Sequence, residues 1–419
     1  MKKVTLLLVL FLMMYSATFY AKEVNLAEAR KIACKAYFQR LNDYYSPVSF
    51  PGVIIEDETV VRNGSRPAYY IFNIKDYGFI IISAEDAMVP VLGYSFDNQY
   101  VDGKYAPNFQ SLLDSYGSMI EYLRLHHVQA DEYVQKKWDE IRNLVPGQYQ
   151  TGKEIVVDAL IQSTWGQGSP YNYFCPQSPD VPGGKAITGC VATCMVQIMY
   201  YWRWPDIGTG SHSYFSENYG MLSADFGDEP YDYDGMADYI SMPASYPAAV
   251  LNYEAGVSVD MNYSPDGSGA YSTDVDDAFR NYFKFSNSCE ALERYNYTYA
   301  VWTGMIYSEL DAGHPLYYSG YSNSGGHAFV LDGYTNDDEF HFNFGWDGYA
   351  NGWFPHYNPQ GYSDGQVMVR HIVPAASETY PPEWSGVKNI PYVHGIIDDG
   401  SGPVYDYASN TNRQLCPFQ

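Results

Sequence analysis

The alternation of apolar and polar residues predicts helices and a strand hairpin in the first third of the chain. Apolar residues recur at helical spacing after Asn25, which can act as the N-cap with Glu28 three residues later, the spacing of a capping box. Two apolar runs joined by Asp76-Tyr77-Gly78 have the pattern of a β-hairpin. The predicted helices are 25–42, 109–125 and 131–144, and the predicted strands are 68–74 and 78–83.

A polar stretch separates this segment from a region of different composition. Residues 145–154 (VPGQYQTGKE) have the composition of a linker, so we predict a domain boundary there. From residue 155 to about residue 374, Gly, Tyr, Trp and Asp are frequent and the apolar runs are short. The predicted division is 1–21, 22–150, 151–375 and 376–419, the last being a tail or a short appended segment.

Composition and charge narrow the class of protein. The chain has 419 residues, a formal net charge of −25 and a pI near 4.5. Its 44 tyrosines and a charged fraction of 17% favour a folded chain over a disordered one. A strongly acidic surface repels nucleic acid and anionic membranes, so we expect neither as a partner.

The first residues have the pattern of an export signal. Lys2 and Lys3 precede an apolar run over residues 4–14, and small residues follow up to Ala21. This pattern predicts a secretory signal peptide over residues 1–21, because the apolar run is short for a membrane span. An uncleaved membrane anchor is the alternative. We therefore expect a secreted protein that lies in a periplasm, on a surface or outside the cell.

The cysteines and acidic turns do not predict a metal site. The six cysteines are too few for a disulfide framework in a chain of this length, and they are Cys34, Cys175, Cys190, Cys194, Cys289 and Cys416. Cys190 and Cys194 lack a histidine at zinc-site spacing. The acidic turns at 225–234 and 336–339 lack EF-hand spacing, so a solvated acidic surface is preferred over calcium binding.

The segment 186–205 (AITGCVATCMVQIMYYWRWP) predicts a buried helix that begins at Cys190 and ends before Pro205. At the first turn of a helix, unpaired backbone N–H groups and the helix dipole lower the pKa of a thiol. The thiolate is the nucleophilic form, so Cys190 is a candidate nucleophile. A buried structural thiol is the alternative, and it is the preferred interpretation for Cys194.

Two strand-like segments, 325–334 (GGHAFVLDGY) and 340–348 (FHFNFGWDG), predict an antiparallel hairpin. With the turn centred near Thr335, paired residues sum to about 670, so His327 faces Asn343 within a register step. A Cys–His peptidase needs this arrangement, because one ring nitrogen takes the thiol proton and the other donates to an amide oxygen. The histidine follows Cys190 by 137 residues, a papain-like spacing. A core histidine is the alternative for His327 taken alone.

A loop rich in Gly and Pro precedes the cysteine and offers a hydrogen-bond donor for the reaction. The loop covers residues 163–172 (STWGQGSPYN). A tetrahedral intermediate needs donors aimed at its oxyanion, and the Gln167 amide with the backbone N–H of Cys190 can supply two. Gln162 is a competing candidate, and a solvated loop glutamine is the alternative for both.

Four of these motifs together resemble the streptopain family of bacterial secreted cysteine peptidases, which includes interpain-type enzymes. The motifs are WGQGSPYN, TGCVAT with QIMYYWRWP, GGHAFVLDGY and HFNFGWDG, and the similarity covers about 160–370. The resemblance implies that Cys190 is the nucleophile, His327 the general base, Gln167 the oxyanion-hole glutamine and Asn343 the asparagine after the histidine. Trp346 matches the second Trp of the family's NWGWGG stretch.

Two residues depart from the family pattern in that stretch. Phe344 replaces the first Trp and Asp347 replaces the Gly that follows the second. The phenylalanine keeps an aromatic cover but lacks an indole N–H donor, so the departure concerns the shape of the substrate pocket more than catalysis. The family also binds substrate through backbone near Gly326 and through a small-residue loop, which we align with residues 266–270 (DGSGA), including Ser268 and Gly269. A plain surface turn is the alternative for this loop.

The resemblance extends to the N-terminal segment, where YYIFNIKDYGFIIISAEDAMVPVLGYS is similar to the family's propeptide. It implies an α+β fold: a papain-like, two-lobed catalytic domain over 151–375, in which a helix bears the cysteine and an antiparallel sheet bears the histidine, preceded by an α+β propeptide domain over 22–150. The propeptide would inhibit the enzyme until cleavage near residues 145–160. The partners implied are protein or peptide substrates and the chain's own propeptide.

These observations predict a secreted cysteine endopeptidase made as a latent zymogen, which needs a reduced thiol but no cofactor or metal. A papain-like amidase or acyltransferase acting on cell-wall peptides is one alternative, because the same Cys–His–Asn chemistry would serve it. A secreted binding or inhibitor module that has lost catalysis is another.

Overall fold

The computed structural model describes residues 22–44, 50–103, 107–146, 155–178, 184–239, 246–322, 325–355 and 364–375. The predicted signal peptide, most of the predicted linker and the predicted C-terminal tail lie outside these residues. Within the described ranges, no helix is both long enough and apolar enough to cross a bilayer.

The N-terminal part packs three helices against a four-stranded antiparallel sheet. The Asn25 side chain accepts a hydrogen bond from the Glu28 N–H at 3.0 Å, which confirms the predicted N-cap. The predicted hairpin is also confirmed, with Tyr69 opposite Ser83. The elements are α1 (Leu26–Tyr44), β1 (Ile55–Asn63), β2 (Arg66–Ile74), β3 (Phe79–Ser83), β4 (Val91–Ser95), α2 (Pro107–Leu125) and α3 (Glu132–Asn143).

The C-terminal part contains four helices and nine strands among the described residues. Its helices are α4 (Cys190–Trp202), α5 (Tyr246–Ser258), α6 (Val275–Asn281) and α7 (Tyr299–Asp311). Its strands are β5 (Ile155–Val157), β6 (Ser211–Ser216), β7 (Gly220–Asp225), β8 (Glu290–Glu293), β9 (Leu316–Ser322), β10 (Gly325–Thr335), β11 (Glu339–Asn343), β12 (Gly352–Pro355) and β13 (Asp364–Arg370). The predicted α+β class is confirmed.

Strands of both parts join in one sheet, whose order is β1-β2-β3-β4-β12-β11-β10-β9-β13-β8, with β5 on β10. The junction is the single pair Trp353 and Tyr94 between β12 and β4. Strand β10 divides two hydrophobic cores, because successive side chains of a strand face opposite sides. Ala328 belongs to the core around α4 and α5, and Phe329 to the core shared with the N-terminal part.

The register of the β10–β11 hairpin differs from the prediction. Asn343 lies opposite Val330, whereas His327 pairs with Gly320 of β9. The predicted pairing of His327 with Asn343 is therefore wrong. The hairpin turn is centred near Asp337 instead of near Thr335. Strand β10 also contains a register irregularity, and β11 ends before it reaches His327.

Two buried glutamates contact basic side chains of other segments. Arg40 of α1 forms an ion pair with Glu339 of β11, and their side chains are only 4% and 5% exposed. Glu309 of α7 lies 3.0 Å from His314 Nδ1 and 2.7 Å from His371 Nδ1. Burial would raise the pKa of Glu309, but hydrogen bonds from the two histidines lower that pKa to about 2.

Candidate active site

The sequence places Cys190 at the start of α4 through the glycine before it. Gly189 adopts φ 87°, in the left-handed region that favours glycine. A Cβ at this position would lie 2.9 Å from both Met261 Sδ and the Ser268 carbonyl oxygen. The chain therefore turns tightly into the helix, and the Cys190 thiol lies at its first turn as predicted.

The sulfur of Cys190 accepts a hydrogen bond from the Ala328 N–H at 3.4 Å. This contact brings the thiol to the residue that follows His327. Among the described residues, no hydrogen bond joins Cys190 to His327 itself, and Nε2 of His327 is buried without a hydrogen-bond partner. The structure thus brings the two predicted residues to neighbouring positions but does not couple the thiol to the ring.

Burial controls the charge of both groups. It raises the pKa of the Cys190 thiol, although the backbone N–H groups of Ala328, Val191 and Cys190 act in the opposite direction. Our prediction of a lowered thiol pKa is therefore wrong for the full-length chain, because burial outweighs the helix N-terminus. Burial also lowers the pKa of His327 to about 4. At neutral pH the pair is a neutral thiol and a neutral imidazole.

Gln167 has the properties expected of an oxyanion-hole donor. The backbone carbonyl oxygen of Gln167 accepts a hydrogen bond from the Thr188 N–H at 3.0 Å, which connects the Gln167 loop to the segment that enters α4. Its Nε2 is buried and has no hydrogen-bond partner. Gln162, the competing candidate, is exposed and donates to the Ala159 carbonyl at 2.7 Å. The geometry favours Gln167.

Asn343 is buried, but its amide bonds elsewhere than His327. Its Nδ2 donates to the Ser163 carbonyl at 2.8 Å, and its Oδ1 accepts from Gly345 N–H at 3.1 Å and from Gln197 Nε2 at 3.3 Å. The predicted contact between Asn343 and the His327 ring is therefore not made in this structure.

Gln197 of α4 is a residue that the sequence analysis missed. Its Oε1 accepts from the Ser163 hydroxyl at 3.0 Å and from the Trp165 N–H at 3.3 Å. With its bond to Asn343, this side chain joins the cysteine helix, the Gln167 loop and the end of β11. The sequence feature that could have indicated this residue is a glutamine on a mostly apolar helix.

The four predicted substrate-binding residues lie on three segments of the C-terminal part. The Ser268 hydroxyl donates to the Ile187 carbonyl at 2.7 Å, and Gly269 forms a bridge with Asn262, so this loop lies beside the entry to α4. Gly326 is buried in β10. Trp346 is half-buried, and its Nε1 has no hydrogen-bond partner.

The N-terminal part covers the segments that carry the site. Asn108, at the start of α2, donates through Nδ2 to the Phe344 carbonyl at 2.7 Å and to the Ala328 carbonyl at 3.4 Å. The ring of Phe109 lies 5.8 Å from that of Phe344. Asn98 Nδ2 donates to the Gly348 carbonyl at 3.0 Å. These contacts connect the N-terminal part with β10 and with the loop that follows β11.

The described residues contain no group of three or more His, Cys, Asp or Glu side chains arranged to hold a metal ion. The five cysteines within the described ranges are free thiols, and they are Cys34, Cys175, Cys190, Cys194 and Cys289.

Comparison with known families agrees with the two parts of the fold. Residues 165–354 match the Peptidase C10 family, and residues 21–120 match the family described as Spi protease inhibitor. The first range contains the four residues predicted for catalysis, and the second contains most of the part that covers them.

Two sequence relatives and one solved structure resemble the chain. It is 33% identical over 339 residues to the thiol protease/hemagglutinin PrtT of Porphyromonas gingivalis, and the match covers 74% of this chain but only 37% of PrtT. It is 30% identical over 307 residues to streptopain of Streptococcus pyogenes, covering 68% of this chain and 73% of streptopain.

The solved structure is a fragment of prointerpain A from Prevotella intermedia. Its TM-score is 0.62 at 31% identity, covering 76% of this chain and 98% of the fragment. The match spans both parts of the chain, since 76% of its length exceeds the C-terminal part alone. The chain therefore belongs to the peptidase C10 family, the streptopain family of cysteine peptidases.

Proposed function

We propose that the chain is a secreted cysteine endopeptidase synthesised as a latent zymogen. The observation that carries this proposal is the Cys190 thiol at the first turn of α4, 3.4 Å from the backbone N–H that follows His327. The similarity to streptopain and to prointerpain A supports it.

In the proposed reaction, His327 takes the proton of the Cys190 thiol and the thiolate attacks the carbonyl carbon of the scissile peptide bond. The oxyanion that forms accepts hydrogen bonds from the Cys190 N–H and from Gln167 Nε2, the buried amide without a partner in the full-length chain. His327 then gives its proton to the leaving amine. Water hydrolyses the acyl-enzyme through the same base and the same donors, and no cofactor is needed.

The full-length chain is latent in this proposal because its two reacting groups are kept neutral and apart. A high thiol pKa and a low imidazole pKa disfavour proton transfer from Cys190 to His327. Removal of the propeptide admits water, which lowers the cost of the thiolate and the imidazolium. It also removes Asn108 from the carbonyls of Ala328 and Phe344, which frees the His327 strand end to approach the thiol.

The remaining predicted residues have supporting parts in this scheme. We assign Asn343 a structural role, because its amide links the end of β11 to α4 through Gln197. We assign Gly326, Ser268, Gly269 and Trp346 to substrate binding, which the family resemblance and the contact of the Ser268 loop with the entry to α4 support.

Labelling with a peptide-like epoxide tests this function. Processed protein should carry a single adduct on Cys190 by mass spectrometry, and His327→Ala should abolish that adduct. Cys194→Ala is the matched control, because Cys194 is a buried thiol on the same helix and its loss should leave labelling unchanged. Equal labelling of several cysteines would overturn the proposal. Digestion of denatured casein, compared with purified peptidoglycan, separates an endopeptidase from a cell-wall amidase.

A further inference from the structure

The carboxylate of Asp347 is fixed beside the loop that carries Gln167. A Cβ built on Gly166, the residue before Gln167, would lie only 2.4 Å and 2.8 Å from the two carboxylate oxygens. The carboxylate thus occupies the space in which a side chain at position 166 would begin. Asp347 is nevertheless exposed, so one side of the carboxylate faces solvent.

The backbone at Asp347 adopts a conformation that an aspartate tolerates. Its φ is 55°, in the left-handed region that glycine, asparagine and aspartate tolerate best. Gly348 follows with φ 75°, and a Cβ there would lie 3.1 Å from the Thr164 side chain. The loop therefore packs closely on the segment before Gln167.

The position of this loop points to one half of the substrate. The loop begins at Phe344. Asn108 Nδ2 donates both to the Phe344 carbonyl and to the carbonyl of Ala328, the residue after His327. The loop ends against Gly166, beside the proposed oxyanion donor. The Ser268 loop instead contacts Gly189, at the entry to α4. Because His327 delivers its proton to the leaving amine, the loop of Asp347 borders the half of the cleft that holds the leaving group.

We propose, on the basis of the function proposed above, that Asp347 is a specificity-determining residue that favours peptides with lysine or arginine within two residues after the scissile bond. A fixed carboxylate at the border of a cleft attracts a cationic side chain and repels an acidic one. The side chain acts on the choice of substrate, since the nucleophile, the base and the oxyanion donors are other residues.

The experiment compares kcat/KM of processed protein on three fluorogenic peptides that are identical except for Lys, Ala or Glu immediately after the scissile bond, with a second set varied at the next position. The variants are Asp347→Asn and Asp347→Gly, both compatible with a positive φ. Asp228→Asn removes an equal charge from an exposed loop after β7 and serves as the matched control. The ratio of Lys to Ala peptides is the readout, because it cancels any general loss of activity.

We expect the wild-type ratio to exceed one at one of the two positions and to fall about three- to tenfold in both Asp347 variants, the range for a partly screened ion pair. Asp228→Asn should leave it unchanged, and Asp347→Lys should favour the Glu peptide. If all peptides are cleaved and the Asp347 variants keep the wild-type ratio, the specificity proposal is wrong while the proposed function stands. If processed wild-type protein cleaves no peptide, both are wrong.

Discussion

Removal of the Arg40 guanidinium should loosen the propeptide from the catalytic domain. The guanidinium pairs with Glu339 of β11 and lies 4.8 Å from the centre of the Tyr94 ring. The Tyr94 hydroxyl donates to the other Glu339 oxygen at 2.7 Å. The glutamate belongs to the catalytic domain, whereas both of its partners belong to the propeptide. In Arg40→Met, the carboxylate would stay buried with one neutral donor.

The expected magnitude follows from burial. Loss of one partner from a buried ion pair costs about 3–5 kcal/mol, because the other charge remains desolvated. An exposed pair contributes at most about 1 kcal/mol. Arg30 and Glu58 form such a pair within the propeptide, with side chains 50% and 27% exposed. Arg30→Met is therefore the matched control for Arg40→Met.

The assay uses full-length protein carrying Cys190→Ala, so that it cannot process itself. Thermal unfolding and the rate of cleavage by an added protease are measured for Arg40→Met, Glu339→Gln, the double variant and Arg30→Met. We expect Arg40→Met to unfold at a lower temperature and to be cleaved faster than Arg30→Met. The double variant should recover part of the loss, since no charge stays buried alone.

One result would refute this reasoning directly. If Arg40→Met and Arg30→Met behave alike in both measurements, the buried ion pair does not hold the two parts together. If the double variant is less stable than Arg40→Met alone, the cost does not come from an uncompensated carboxylate.

Three further predictions concern α4 and the buried carboxylate of α7. Gln197→Leu should lower stability by about 2–4 kcal/mol in urea unfolding, because it leaves buried partners such as Asn343 Oδ1 with fewer donors; an unchanged midpoint would contradict this. Gly189→Ala should lower the unfolding temperature more than Gly210→Ala, since both have positive φ but only Gly189 has close neighbours; equal losses would contradict it. The pKa of Glu309 is lowered to about 2 in the folded state. The ionised carboxylate therefore stabilises the fold by about 3 kcal/mol at pH values above the pKa of an unfolded glutamate, and this stabilisation is lost as the pH falls towards 2. Glu309→Gln should flatten that loss in urea midpoints measured from pH 5 to pH 2, and an unchanged slope would refute the assignment.

The neutral charge state of the site connects latency to structure. Burial raises the thiol pKa of Cys190 and lowers the imidazole pKa of His327, so both shifts oppose the ion pair that the proposed reaction needs. The backbone N–H groups at the helix start act in favour of the thiolate, as expected for that position. In the proposed mechanism, a cover that excludes water is therefore one part of latency.

Local chemistry determined much of the secondary structure. The cap at Asn25, the helix start at Cys190 and the hairpin of β2 and β3 depend on neighbouring residues, so their patterns are visible in a single sequence. Asp131 is the N-cap of α3, within one residue of the predicted start. The motifs around Cys190 and His327 also indicated the family, because each places a reactive side chain beside glycine or aromatic residues in a fixed order.

Tertiary packing decided what the motifs could not. The register that places Asn343 opposite Val330 depends on a bulge and on the length of β11, which one strand's pattern does not encode. The partners of Asn343 come from α4 and from the Gln167 loop, far away in sequence. The raised thiol pKa of Cys190 depends on burial, a property of the assembled fold. By itself, the sequence determined the local elements, the family and the candidate residues for the reaction, whereas only the tertiary structure decided how buried those residues are and which groups contact them, because burial and contacts depend on segments far apart in the chain.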